Sequence, residues 1–115
     1  MHITRLADAQ PYTAPLHAGV AALRLQGLEA SPSSFCSVGL SYYLPGGCAE
    51  MSAGPQEKVY VVLEGELVVT LGDGARHVLK GLDSCLIEPG ERREVRNETN
   101  TVATLLVVMP APPAG

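Results

Sequence analysis

From Val59 onward the chain reads as short β-forming runs, each closed by a turn signal. Val59–Leu63 is Val-Tyr-Val-Val-Leu, β-branched and aromatic residues that suit a pleated surface. Glu64–Gly65 reads as a tight turn into Glu66–Leu71. Gly72–Asp73–Gly74 is the next turn, so a second hairpin is expected there. Arg76–Leu79, Ser84–Ile87, Arg92–Arg96 and Val102–Met109 continue the series. No long stretch repeats its apolar residues every 3.6 positions, so no amphipathic helix is available to cover a sheet. Such a chain must pair strand with strand, and the expected architecture is an all-β sandwich or closed barrel.

The upstream part is less regular. Pro11, Pro15 and Gly19 punctuate an extended N-terminal segment, residues 1–19. Val20–Gln26 suits a strand or a short helix. Phe35–Leu44 is a strand candidate that Pro45–Gly46–Gly47 is expected to end, with an irregular loop over Cys48–Pro55. The barrel domain is assigned to residues 20–109, and the Pro/Ala-rich residues 110–115 are expected to form a disordered tail. A chain of 115 residues has room for one domain. It holds four Tyr, one Phe and no Trp, so its core must come mainly from Val, Leu and Ala.

Composition narrows the partners. Asp and Glu number 12 against 8 Lys and Arg, for a formal charge of −4. Nucleic acid is therefore not expected, since phosphate binding needs clustered cations. Arg92, Arg93 and Arg96 do cluster, but Glu91, Glu94 and Glu98 interleave with them. Cys36, Cys48 and Cys85 form no CxxC pair, and an odd count fits reduced thiols in a cytoplasmic protein. No apolar leader opens the chain, and Thr101–Pro110 is too short to span a bilayer as a helix, so no membrane partner is expected.

Two blocks resemble the motifs of the cupin superfamily, G-x5-H-x-H-x3-4-E-x6-G and G-x5-P-x-G-x2-H-x3-N. With Gly65 as the closing glycine of the first, the glutamate slot falls on Lys58. The histidine slots fall on Ser52 and Gly54, or on Met51 and Ala53, and the opening glycine is Gly46 or Gly47. With Gly90 and Asn97 as anchors of the second, the histidine slot falls on Arg93 and the proline slot on Glu88. Pro89 sits one place late and Gly81 one place early, with Leu82 in the glycine slot. The resemblance covers residues 40–109. It implies a single double-stranded β-helix, the jelly-roll barrel, commonly as a homodimer with a pocket at one end. None of the histidine or glutamate slots carries a histidine or carboxylate, so neither a metal nor another cofactor is expected.

Alternation along the strand places Lys58, Tyr60 and Val62 on the barrel interior if Lys58 fills the ligand slot. Arg93, Val95 and Asn97 share one face of the opposing strand. Lys58, Tyr60, Arg93 and Asn97 are therefore the candidate ligand-binding residues, with two cations aimed at one space. Such a pocket favours a small anionic molecule, because a guanidinium binds a carboxylate or phosphate through two parallel hydrogen bonds. A desolvated Lys58 also suits a metal-independent isomerase, epimerase or lyase on a carboxylate or sugar-like substrate. A dioxygenase-type cupin with unusual metal ligands is the third reading. The competing structural reading pairs Lys58 with Glu50, Glu57 or Glu91, and Arg93 with Glu91 or Glu94. His2, His17 and His77 lie outside the motif slots. Cys48 is placed near the pocket mouth, and of Tyr42 and Tyr43 one must face inward.

Overall fold

The computed structural model describes residues 1–111. After one turn of 3-10 helix at Leu6–Asp8, nine strands follow: β1 (Gln10–Tyr12), β2 (His17–Gln26), β3 (Cys36–Ser52), β4 (Lys58–Glu64), β5 (Glu66–Leu71), β6 (Arg76–Lys80), β7 (Ser84–Ile87), β8 (Arg93–Arg96) and β9 (Ala103–Pro110). All pairings are antiparallel, in the order β6-β5-β8-β3-β9-β4-β7, with β2 added on β3 and β1 on β2. The result is a nearly closed jelly-roll barrel. The expected tail falls on residues 112–115, outside the described residues, except for Pro110, which closes β9 opposite Cys36, and Ala111.

The strand expected to stop at Pro45–Gly47 instead runs on to Ser52. Its first half pairs with β9 as far as Tyr43↔Ala103, and its second half pairs with β8 from Cys48↔Arg96. Pro45 and the glycines are the bend between the two halves. Pro45 has no N–H to give to a ladder, and Gly46 sits at φ 80°, a left-handed conformation that glycine adopts without a side-chain penalty. Asn97 locks the bend: its N–H donates to Gly47 O at 2.9 Å and its carbonyl accepts from Gly46 N–H at 2.9 Å.

Glu64–Gly65 also differs from expectation. β4 does not pair with β5; its neighbours are β7 and β9. Gly65, at φ 79°, carries the chain from β4, near one end of the strand order, to β5, near the other, and β5–β6 is the hairpin that follows.

Inward residues fill one end of the barrel. Val62, Leu67, Val69, Val95, Ala103 and Leu105 are 4% exposed or less and form its apolar centre. Tyr43 and Tyr60 border that centre. Beyond them the interior is open.

Candidate functional site

The open end is a cavity of about 470 Å³, within the range of small-molecule sites. Lys58 and Tyr60 reach it from β4, and Arg93 from β8. Alternation explains the set. Lys58 is half-buried and Tyr60 buried, while Val59 between them is exposed, as is Glu57. Arg93 and Val95 are buried and Arg96 is exposed.

Arg93 is only 7% exposed. Its Nε donates to Tyr60 Oη at 3.1 Å, and its Nη1 donates to Ser52 O at 2.7 Å and Ser52 Oγ at 2.9 Å. Nη2 has no protein partner among the described residues. No fully buried side-chain N or O there is left unpartnered, so Nη2 opens on the cavity. Neither Arg93 nor Lys58 has a carboxylate within ion-pairing distance among the described residues; Glu94 pairs with Arg96 at 3.0 Å. Burial and the nearby Arg93 charge hold the Lys58 amine below its ordinary value. Burial pushes the Tyr60 hydroxyl up, partly offset by Arg93.

Among the described residues no Asp or Glu lines the cavity. A third cation, Arg24, lies at its edge but is neutralised: it pairs with Glu29 at 3.0 Å and its guanidinium stacks 3.8 Å over the Tyr12 ring. Glu29 is correspondingly lowered, first by backbone hydrogen bonding and then by Arg24.

Asn97 faces inward but does not line the cavity. It is fully buried, and its Nδ2 donates to Tyr43 O at 2.9 Å and Thr101 O at 2.8 Å. Its Oδ1 accepts from Thr99 N at 2.9 Å and Thr99 Oγ1 at 2.7 Å. These bonds saturate the amide. Cys48 is buried beside Glu94, away from the lining, and burial raises its thiol pKa. His77 is exposed on β6.

Sequence reasoning missed one wall of the cavity. Ser37, Ser41 and Tyr43 line it from β3, and His17 lines it from the start of β2, with its ring 6.4 Å from that of Tyr43. The inward residue of the tyrosine pair is Tyr43, at 2% exposure.

The slots where the cupin motifs keep metal ligands meet here as Ser52, Gly54, Lys58 and Arg93. The guanidinium touches two oxygens of Ser52 and stands among those slots. Two fixed cations repel a divalent ion, so this donor set does not fit a metal. Among the described residues no three His, Cys, Asp or Glu side chains gather as a metal site requires. No helix there is long and apolar enough to cross a membrane.

The chain is 49% identical over 114 residues, 99% of its length and 97% of the relative's, to Beta-D-galactosidase Rv1717 of Mycobacterium tuberculosis. Its structure is similar to that of the polyketide cyclase RemF from Streptomyces resistomycificus, with a TM-score of 0.86 at 19% identity over 98% of this chain and 82% of that one. A sugar phosphate isomerase of the cupin superfamily from Silicibacter pomeroyi superposes with a TM-score of 0.72 at 28% identity, over 83% of this chain and 61% of that one. Residues 39–109, more than half of the chain, match the Cupin_2 family of cupin domains, and the chain belongs to that family.

Proposed function

We propose that the cavity binds a small molecule through a carboxylate or phosphate held by Arg93 and Lys58, without a metal. The observation that carries this is a buried guanidinium with no counter-ion among the described residues. An uncompensated buried charge costs several kcal/mol, and an anion arriving at Nη2 offsets that cost. Tyr60 spends a lone pair on Arg93 Nε, which leaves its own proton free to donate to the ligand. The fixed guanidinium thus does for an anion what a metal does elsewhere in the fold. A half-buried Lys58 beside bound substrate also suits proton transfer in an isomerase, epimerase or lyase step. The protein works as a homodimer in the cytoplasm, where its three free cysteines stay reduced.

The test is thermal melting of metal-stripped protein against carboxylates, phosphates and sugar phosphates, with Lys58→Ala alongside. A ligand at 100 times its dissociation constant stabilises the fold by about 2.7 kcal/mol. A shift in the wild type that shrinks in Lys58→Ala supports the reading. No shift across the panel removes it.

A second reading is hydrolysis of β-D-galactosides, favoured by the 49% identical relative of that name. Most glycosidases use two carboxylates flanking the scissile bond, and this cavity offers none among the described residues. Hydrolysis here would need its proton from Tyr60 or Lys58. Turnover of p-nitrophenyl β-D-galactoside, lost in Tyr60→Phe while the fold survives, would establish it.

A further inference from the structure

We propose that the ligand is a polyhydroxylated acid of sugar size, with its carboxylate on Arg93 and its hydroxyls against β3. This inference rests on the anion-binding reading and adds the rest of the molecule. Ser37, Ser41 and Tyr43 are 4%, 5% and 2% exposed. None of their hydroxyls has a protein partner among the described residues, and no fully buried side-chain oxygen there is unpartnered. Each hydroxyl therefore opens on the cavity that all three residues line.

The arrangement follows from the strand. Residues 37, 39, 41 and 43 share one face of β3. Gly39 has no side chain there, and a Cβ at that position would collide with the Tyr12 hydroxyl, so the gap seats a fourth hydroxyl over the wall. The Ser41 and Tyr43 backbones stand roughly 6–7 Å apart along the strand, and the longer phenol carries its hydroxyl farther from β3 than the serine does, so the wall offers hydroxyls at two depths. Leu105 and Val107 of the neighbouring β9 supply an apolar strip for C–H groups.

The chemistry selects among acids. A hydroxyl both donates and accepts, so a wall of hydroxyls is best matched by a ligand that does the same. An aliphatic acid would satisfy Arg93 but leave the wall's hydroxyls desolvated and unpaired. A neutral sugar would satisfy the wall and leave Arg93 without a counter-ion. A sugar acid satisfies both.

The experiment is calorimetric titration of the full chain with D-galacturonate, D-gluconate, D-galactose and hexanoate. At least one sugar acid should bind about tenfold or more tighter than galactose and hexanoate, the equivalent of 1.4 kcal/mol. Ser41→Ala and Tyr43→Phe, chosen to keep the barrel intact, should weaken the sugar acid and leave hexanoate unchanged. Lys58→Ala should weaken both acids and leave galactose unchanged. If hexanoate binds as tightly as the sugar acids, the hydroxyl wall is not a recognition surface and this inference falls while anion binding stands. If galactose binds as tightly as the sugar acids and Lys58→Ala alters nothing, anion recognition itself falls. Absence of binding by all four overturns both.

Discussion

Leu82 shows how one residue records a departure from a motif. It fills the slot where the second cupin motif has glycine, and its φ is 71°. Its N–H donates to Val62 O at 2.6 Å, so pairing holds it there despite its side chain, which is 79% exposed. A left-handed L-residue costs roughly 1–2 kcal/mol, while glycine costs roughly 0.5–1 kcal/mol in chain entropy. Leu82→Gly should therefore raise stability by about 0.5–1 kcal/mol in urea unfolding; a loss would mean the side chain makes contacts that outweigh its strain. Lys58 gives a prediction in pH. Its folded pKa lies below 10.5, so its charged form destabilises the fold at low and neutral pH. Between the lowered value and 10.5 the unfolded chain binds more protons, and the Lys58 contribution to stability rises with pH. Lys58→Met abolishes that slope. Unfolding free energies from pH 7 upward should thus show the wild type gaining on the variant, and a constant difference would mean Lys58 titrates like an exposed lysine.

At the scale of elements, the period-2 pattern made β4 legible and Gly65 suggested a register, but whether Glu57 or Lys58 faces inward stayed open in the sequence; the structure exposes Glu57 and half-buries Lys58. The same anchoring at Gly90 and Asn97 placed Arg93 on the inner face. What the sequence could not show was which strands are neighbours. Gly65 looks like a hairpin turn locally but leads to a strand at the far end of the strand order, since β4 finds its partners in β7 and β9. Pro45–Gly47 looks like an end and is a bend, because Asn97, about fifty residues later, supplies the hydrogen bonds that carry β3 through it. The Ser37–Ser41–Tyr43 wall stayed hidden for the same reason: no motif fixes the register of β3, and only its pairing with β9 shows which tyrosine faces in. His17 was hidden because it lay in a segment that reads as irregular. Asn97 is the keystone of these long-range contacts. Asn97→Ala would leave the buried Tyr43 carbonyl without its side-chain donor, and each unpaired group costs about 1–3 kcal/mol. A destabilisation of about 1–3 kcal/mol is expected, since the Tyr43 carbonyl is buried while Thr101 is exposed and its carbonyl can turn to water. A loss below about 0.5 kcal/mol, the range of an ordinary surface change, would show that water takes over these bonds.

At the scale of the molecule, the outer face of one sheet is unusual for a surface. Val38, Val108, Val59 and Leu86 form one cross-strand row over β3, β9, β4 and β7. Half-buried Leu106 and Val61 form the next, against Leu40, which is already buried within the chain. These positions point away from the cavity, and none carries a charge in a chain that is 17% charged. Val59 is 37% exposed and Leu86 52%. Phe35, 79% exposed, borders Val59 and Val108 and extends the patch. Depletion of charge at the centre of a face is the compositional mark of an interface. Among the described residues charge reaches this face only at its rim, where Glu57 stands beside Phe35 and Val59, so the apolar rows meet their own copy about a two-fold axis without like charges at the centre. A second copy of this chain is therefore the expected occupant, in a dimer burying about 800 Å² on each side. Leu86→Arg tests it, because the symmetry brings the new charge into the apolar interface twice. Sedimentation of the wild type should give a dimer, and the variant should sediment as a monomer with its barrel fold retained by circular dichroism. The melting temperature of the wild type should also rise with protein concentration, as mass action requires of a dimer. A wild type that sediments as a monomer at every concentration would leave this face open to a different partner and remove the homodimer.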